Sequence, residues 1–193
     1  MSADGSTGEG VAPQQPRWLD ADEDRTWRDL VAMTQLLHVS LDRQMRAEAG
    51  MPQTYYTVLA MLSEAPGRQL RMSELAAITS SSPSRISHAV TRLEEKGWVC
   101  RSRAAEDGRG AVATLTDAGW AVLRATAPGH VEQVRRVLLD PLSPEQRGQL
   151  GEICRAVLVA LAESPHGARR PDGAEVCAQD CAEVGTGCDA DAS

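Results

Sequence analysis

The chain has 193 residues, of which 42% are hydrophobic, and a formal net charge of -7 at pH 7. This length supports one core-forming domain with tails, and the hydrophobic content excludes a chain that is disordered throughout. Only 3% of the residues are aromatic and Phe is absent, so we expect an aliphatic core. The sequence has no signal segment and no apolar run of membrane-spanning length, which predicts a cytoplasmic protein with no membrane partner and with reduced thiols.

The acidic charge is concentrated at the two ends of the sequence. Residues 1–24 and 165–193 carry net charges of -5 and -4, whereas residues 25–164 carry +2. Highly charged segments with few large apolar residues do not form a core. We therefore predict a disordered acidic N-terminal tail over 1–24, one domain over 25–164, and a disordered acidic tail with cysteines over 165–193.

Two helices are predicted before the centre of the chain. Between residues 25 and 46, apolar side chains recur at steps of three and four, which indicates a long helix with a narrow apolar stripe. The stripe consists of Trp27, Leu30, Met33, Leu37, Leu41 and Met45. Gly50 and Pro52 interrupt this helix, and a shorter helix over residues 55–62 should end at Pro66.

Residues 73–97 have the pattern of two short helices joined by a tight turn. We expect Ser73 to cap the first helix and the polar run 80–82 to end it. Ser82 is a typical N-cap for the second helix, and Pro83 suits its first position. In the second helix one face is apolar, the opposite face carries hydrogen-bond donors and few acids, and Gly97 ends the helix. The apolar face consists of Ile86, Val90, Leu93 and Gly97.

A two-stranded hairpin is predicted directly after these helices. Residues 98–103 and 111–115 have strand character, and the residues 107–110 between them have turn character. Residues 70–72 can supply a third strand. Two helices, a turn and a hairpin in this order predict a winged helix-turn-helix over about 53–115, so the fold class is mainly α, of the α+β winged-helix type.

Helices are also predicted between the hairpin and the C-terminal tail. Thr116 should cap the first, with a bend rather than a break at Pro128. Ser143, Pro144 and Gln146 match the start of a helix with a capping box, and this last helix should end near residue 163. Its wide apolar stripe consists of Leu150, Ile153, Cys154, Val157, Leu158 and Leu161.

The first and last helices present apolar stripes that a small winged unit cannot cover. Packing the helices of about 25–48 and 117–163 against a second copy removes both stripes from water and produces a twofold homodimer. The alternative is a monomer in which these helices fold back on their own core.

Several motifs around the winged unit resemble those of the MarR family of bacterial transcriptional regulators. They are the ungapped run 75–99 with Arg92-Leu93-Glu94-Glu95-Lys96-Gly97, the pair Asp107-x-Arg109, and Leu115-Thr116-Asp117-Ala118-Gly119. The likeness covers about residues 27–162. It implies a transcriptional repressor with a dimerisation layer of terminal helices above two winged lobes.

A twofold dimer would place two recognition helices in successive major grooves, so we expect double-stranded DNA with an inverted repeat as the partner. The predicted second helix of the winged unit supplies donors for phosphates and base edges. Arg85 suits guanine, whose O6 and N7 an arginine can bind together. For each residue the alternative is a solvated helix face. The candidates are Ser82, Ser84, Arg85, Ser87, His88, Thr91 and Arg92.

The hairpin carries the remaining candidates for DNA contact. Arg101 and Arg103 should face phosphate, with an ion pair to Glu106 as the competing interpretation. The resemblance implies that Arg109 reaches the minor groove and that Asp107 holds an arginine in place, because an arginine there reads the shape of a narrow groove.

The resemblance also implies control by a small phenolic or aromatic effector that releases the protein from DNA. The candidate effector-binding residues are Trp27, His38, Tyr55 and Trp120. For each of them the alternative is an ordinary core position.

The five cysteines fall into two groups. Cys100 and Cys154 lie on predicted elements and are expected to be buried as small hydrophobic residues. Cys177, Cys181 and Cys188 in the C-terminal tail match no structural zinc pattern. They leave open an alternative function, a regulator that responds to redox state or metal through the tail.

Catalytic patterns are absent from the sequence. It contains no Ser-His-Asp order, no phosphate-binding glycine loop and no HExxH, and its four histidines are scattered. We therefore expect no enzyme and no cofactor. A winged fold that binds protein instead of DNA is the remaining alternative, and it predicts no salt-dependent DNA binding.

Overall fold

The fold is mainly α-helical, with one small antiparallel sheet. The computed structural model describes residues 16–103 and 110–163, and the chain divides into two compact units, residues 1–38 and 39–193. The elements are α1 (Ala21–Ala49), α2 (Gln53–Glu64), a 3-10 turn (Pro66–Arg68), β1 (Gln69–Arg71), α3 (Met72–Ile78), α4 (Pro83–Glu95), β2 (Val99–Arg103), β3 (Ala111–Leu115), α5 (Asp117–Val134), a π-helical turn (Arg135–Leu139) and α6 (Pro144–Glu163). None of the helices described is both long and apolar enough to cross a membrane.

The first unit contains the start of α1, which begins four residues before the expected position. Asp20 Oδ1 accepts hydrogen bonds from the backbone N–H groups of Asp22 and Glu23, at 2.8 and 2.9 Å. Glu23 Oε2 accepts the N–H of Asp20 at 3.0 Å, which completes a capping box. The acidic residues assigned to the tail therefore cap the helix, and their charge also suits a helix N-terminus.

The main hydrophobic cluster of the second unit lies within residues 53–115, which we call the winged lobe, and extends to Leu123 of α5. Aliphatic side chains from all three lobe helices and from the sheet form one cluster, and most of them are completely buried. Its members are Val58, Leu59, Leu62, Leu75, Ala76, Ile86, Val90, Leu93, Val99, Ala113, Leu115 and Leu123. The expected aliphatic core is therefore confirmed.

The ends of α4 are fixed by local hydrogen bonds of the predicted kind. Ser82 is the N-cap, and its hydroxyl accepts the backbone N–H of Arg85 at 3.3 Å. At the other end, Gly97 has φ +72°, which glycine adopts without strain. Its N–H donates to Glu94 O, and the N–H of Trp98 donates to Leu93 O, so the helix ends in a Schellman motif.

The start of α3 differs from the prediction. The helix begins at Met72, with Arg71 as its N-cap, so Ser73 lies inside the first turn. The backbone N–H of Arg71 donates to Glu74 Oε2 at 2.8 Å. The carboxylate of Glu74, and not the hydroxyl of Ser73, therefore caps the start of this helix.

The three strands form one antiparallel sheet in the order β1-β3-β2. The predicted third strand is confirmed as residues 69–71, which pair with 112–114 of β3. On the other side, Val99 of β2 pairs with Leu115 and Arg103 with Ala111. Within the described residues β2 is an outer strand, so one of its edges faces away from the sheet.

The start of α5 packs against the junction between α4 and β2. The Thr116 hydroxyl accepts the N–H of Gly119 at 3.0 Å and donates to Gly97 O at 2.7 Å. A Cβ on Gly119 would lie 2.1 Å from Trp98 O, so only glycine allows this close approach. The predicted cap is confirmed, and the motif of residues 115–119 has a physical explanation.

The first helix after the hairpin continues through Pro128 without a break, as expected. A π-helical turn over residues 135–139 follows α5. The capping box of α6 is confirmed, with Gln146 N donating to Ser143 Oγ at 3.3 Å and Ser143 N donating to Gln146 Oε1 at 2.9 Å. No residue of α6 is buried.

Candidate nucleic-acid interface

Helix α4 divides into two chemically different faces. Ile86, Ala89, Val90 and Leu93 are buried in the lobe core. The opposite face is exposed, apart from Thr91, which is half-buried. It carries Ser84, Arg85, Ser87, His88, Thr91 and Arg92. The packing therefore brings all predicted residues of this helix to one accessible surface, beside Ser82 at its N-terminus.

The polar side chains of this face differ in whether they already form a hydrogen bond or ion pair within the protein. Arg85 has no ion pair within the described residues, and the first turn contains no acid. Arg92 donates to Glu95 Oε2 at 2.8 Å, and this bond raises the pKa of its guanidinium. The hydroxyl of Thr91 donates to Ser87 O at 2.9 Å, inside the helix. Arg85 is thus the charged side chain of this face that is free to bind a ligand.

The described strand of the hairpin places its two arginines in different environments. Arg103 is exposed and has no ion pair within the described residues. Arg101 pairs with Glu94 of α4, and its side chain is 32% exposed. Asp107 and Arg109, as well as the competing partner Glu106, lie outside the described residues.

The four residues predicted to bind an effector lie in dissimilar surroundings. In the first unit, Trp27 is 56% exposed and His38 is also exposed. In the second unit, Tyr55 packs against the lobe core, as does Trp120. The guanidinium of Arg68 lies 4.8 Å from the centre of the Trp120 ring.

A polar depression of about 370 Å³ lies in the second unit, between the C-terminal half of α1 and α5 with the turn after it. Gln44 is 92% buried there; its Nε2 donates to Glu48 at 2.6 Å, but its Oε1 has no partner among the described residues. Sequence reasoning missed this site, because a glutamine on a helix carries no signal of burial. The lining residues are Ser40, Arg43, Gln44, Ala47, Glu48, Gln133 and Arg136.

His130 of α5 packs against Tyr56 of α2. The ring of His130 on α5 lies 4.4 Å from the ring of Tyr56, centre to centre, at an angle of 40°. Its Nδ1 is buried and has no partner within the described residues. Burial lowers the pKa of His130 below its ordinary value, because the charged imidazolium loses hydration.

The two described cysteines are exposed, so their predicted burial is wrong. Cys100 lies on β2, of which only Val99 is buried, and Cys154 lies on α6, whose apolar stripe nothing in the described chain covers. Within residues 16–103 and 110–163, no group of three or more His, Cys, Asp or Glu side chains could hold a metal ion. Cys177, Cys181 and Cys188 lie outside these ranges.

The fold and this surface define a winged helix-turn-helix protein, with an exposed donor-rich helix beside a β-hairpin. Residues 49–110 match the MarR family. The HTH-type transcriptional repressor Mb2911 of Mycobacterium bovis is 33% identical over 98 residues, which are 51% of this chain and 69% of that protein.

Two solved structures from Streptomyces coelicolor share the fold. Sco3205, a MarR family transcriptional regulator crystallised in complex with DNA, is 49% identical over 80% of this chain and 96% of its own, with a TM-score of 0.74. AbsC, also a MarR family transcriptional regulator, is 36% identical over 77% of this chain and 100% of its own, with a TM-score of 0.71. The chain therefore belongs to the MarR family of transcriptional regulators.

Proposed function

We propose that this protein is a homodimeric transcriptional repressor that binds an inverted-repeat DNA site through α4 and the hairpin, and that a small phenolic or aromatic ligand releases it. Such a protein acts where its DNA is, on the bacterial nucleoid. The observation that carries the proposal is the exposed face of α4, where donors are concentrated and Arg85 has no competing acid among the described residues.

The charge of this surface fits DNA although the whole chain is acidic. The acidic excess belongs to the terminal segments, and phosphate responds mainly to the charge nearby. Ser82 and Ser84 at the positive end of the helix dipole suit a phosphate, while Arg85, Ser87 and His88 suit base edges. Thr91, Arg92 and the hairpin residues Arg101, Arg103, Asp107 and Arg109 complete the proposed contact set.

The exposed apolar side chains of the terminal helices support the homodimer. In the first unit, Trp27, Leu30, Met33 and Leu36 are between 40% and 68% exposed. In the second unit, Ile153, Val157, Leu158 and Leu161 of α6 are between 42% and 60% exposed. Apolar stripes of this kind call for a partner, and a second copy related by a twofold axis would present two equal recognition helices to an inverted repeat.

The names of two similar proteins agree with repression. Mb2911 is called a transcriptional repressor, and so is MprA of Escherichia coli, which is 27% identical over 120 residues, 62% of this chain and 67% of its own length. The complex of Sco3205 with DNA supports DNA as the partner of the same fold here.

The test is selection of binding sites from random double-stranded DNA, followed by footprinting of the enriched site. We expect an inverted repeat whose affinity falls with salt. Arg85→Ala should weaken binding by about 1–3 kcal/mol, because a bidentate arginine–guanine contact is lost. Arg124→Ala, which removes the same charge from an exposed position on α5, should leave binding nearly unchanged. If no sequence is enriched and salt has no effect, the winged unit binds something other than DNA.

The polar depression beside Gln44 supports the effector part of the proposal. Gln44 Oε1, which has no partner among the described residues, can accept a hydrogen bond from a phenolic hydroxyl, and Arg43 and Arg136 at the same depression can bind a carboxylate. We expect hydroxybenzoates to release the protein from its site, and Gln44→Met to weaken that response without changing DNA affinity in the absence of ligand. Gln149→Met, at an exposed position on α6, is the control. Equal responses of both variants would remove this depression from the proposal.

A further inference from the structure

We propose that Glu94 is a positioning residue that holds the hairpin against α4, so that both elements meet DNA in one fixed relative orientation. The contact joins the last turn of the recognition helix to the middle of β2. The inference rests on the proposed DNA-binding function, and it adds to that function a residue that need not touch DNA.

Both carboxylate oxygens of Glu94 bind the same residue, Arg101. Its Oε1 accepts the backbone N–H of Arg101 at 2.9 Å, and its Oε2 pairs with Nη2 of the same arginine. A carboxylate that binds a backbone group and a guanidinium together restricts both distance and angle. The contact therefore fixes the backbone of the strand as well as a side chain.

The position of Arg101 in the sheet explains why this contact is needed. β2 pairs only with β3 among the described strands, so an outward N–H of β2 has no strand to receive it. Glu94 supplies the acceptor and ties this edge to α4. Arg103, the exposed arginine of the proposed DNA surface, lies two residues further along the same strand. The direction of Arg103 toward DNA thus depends on the strand that Glu94 holds.

The neighbouring ion pair shows what sets Glu94 apart. Glu95 pairs with Arg92 inside the same helix, with side chains 54% and 52% exposed, so this pair joins no two elements. The side chains of Glu94 and Arg101 are only 28% and 32% exposed, and water therefore screens them less. Two adjacent glutamates thus have different roles, and Glu95 provides a matched control.

The first test needs no DNA and follows hydrogen exchange at the amide of Arg101. Glu94→Ala should speed this exchange by about tenfold, because a hydrogen bond to a charged group contributes on that scale. Glu94→Gln keeps an oxygen acceptor and should restore most of the protection. Glu95→Ala should have no effect at Arg101. Unchanged exchange in Glu94→Ala would overturn the contact itself.

The second test is footprinting on the selected DNA site. Thermal unfolding of Glu94→Ala should stay close to that of the wild type. The variant should nevertheless bind the DNA site about tenfold more weakly, because a hairpin that Glu94 does not hold must be ordered on binding. In the proposed dimer with the two recognition helices nearest the twofold axis, the hairpins would reach the outer flanks of the site, so protection should be lost there and kept at the centre. Glu94→Gln should recover part of the flank protection, and Glu95→Ala should keep all of it.

The outcomes separate the two proposals. If the wild type protects no DNA site, the proposed function fails, while the exchange experiment still decides whether Glu94 holds the strand. If the wild type protects its site and Glu94→Ala gives the same flank pattern, the positioning role is wrong. Tighter binding of the DNA site by Glu94→Ala would also contradict the positioning role. In that case the effect of Glu94 on binding would be only to neutralise the charge of Arg101.

Discussion

The winged lobe and helix α6 contain similar apolar periodicity but place it in opposite environments. In the lobe, Leu59 and Leu93 are completely buried. In α6, no residue is buried, and Ile153 and Val157 of its apolar stripe are 60% and 49% exposed. Within the described residues, the lobe thus contains the contacts that stabilise it, whereas α6 has the apolar pattern of a packed helix but no buried side chain. The difference supports the proposed homodimer, in which a second copy would cover the apolar stripe of α6.

Two glycines provide the strongest way to test this contrast. A Cβ on Gly119 would lie 2.1 Å from Trp98 O and 2.8 Å from Leu115 Cδ1, so Gly119→Ala should lower the free energy of unfolding by about 3 kcal/mol. A Cβ on Gly148 of α6 would meet nothing within 4 Å, and Gly148→Ala should stabilise the helix by up to about 1 kcal/mol. Urea denaturation measures both, and equal destabilisation would refute the contrast.

Charge placed on α6 tests what covers its stripe. Val157 lies on the predicted stripe and Val159 on the opposite side of the same helix, and both are exposed in the single chain. Val157→Glu should weaken the dimer by about 2 kcal/mol, roughly 30-fold in Kd, because a charge would enter an apolar interface. Val159→Glu should leave it unchanged. Analytical ultracentrifugation distinguishes the two, and loss of the dimer in neither variant would place the interface elsewhere.

The two serine caps test whether the regions unfold together. Ser82 and Ser143 each accept a backbone N–H at 3.3 Å. Ser82→Ala should lower the global free energy of unfolding by about 1 kcal/mol, since α4 is part of the lobe core. Ser143→Ala should instead speed amide exchange in the first turn of α6, because a helix with few buried contacts opens locally. Its effect on the global free energy of unfolding should be smaller than that of Ser82→Ala. Equal global losses would mean that α6 unfolds with the lobe.

Capping explains why much of the fold was predictable from the sequence. The hydrogen bonds of Ser82, Gly97 and Ser143 join residues within four positions of one another, so sequence spacing alone predicts them. The same kind of local signal exists at Asp20 and Glu23, where the high charge of the segment instead predicts disorder. Local chemistry therefore predicts helix ends even inside an acidic segment.

Side-chain contacts between different elements could not be predicted from the sequence. Glu94 meets Arg101 only because Gly97 ends α4 and the chain turns back as β2, and no spacing rule gives that partner. The burial predicted for Cys100 and Cys154 failed for a related reason. Periodicity shows which residues share a face but not whether another element covers it.

The pH dependence of stability tests whether α5 packs against the lobe, and it is the smallest of the expected effects. The residue concerned is His130 of α5. Burial lowers the pKa of His130 from 6.5, so near that pH the unfolded chain binds more protons than the folded one. Stability should be fully present above pH 6.5 and should decline as the pH falls from 6.5 toward the folded pKa, where the ring against Tyr56 becomes charged.

Thermal unfolding between pH 7.5 and 5.5 measures this effect. His130→Gln should flatten the decline, and His88→Gln should not, because His88 is exposed on α4 and its removal does not change the packing of α5. If both substitutions leave the same pH dependence, another group causes it and the α2–α5 contact contributes nothing to it. If His130→Gln alone flattens the decline, α5 unfolds together with the winged lobe, and the boundary between the lobe and the less stable C-terminal region lies after residue 130.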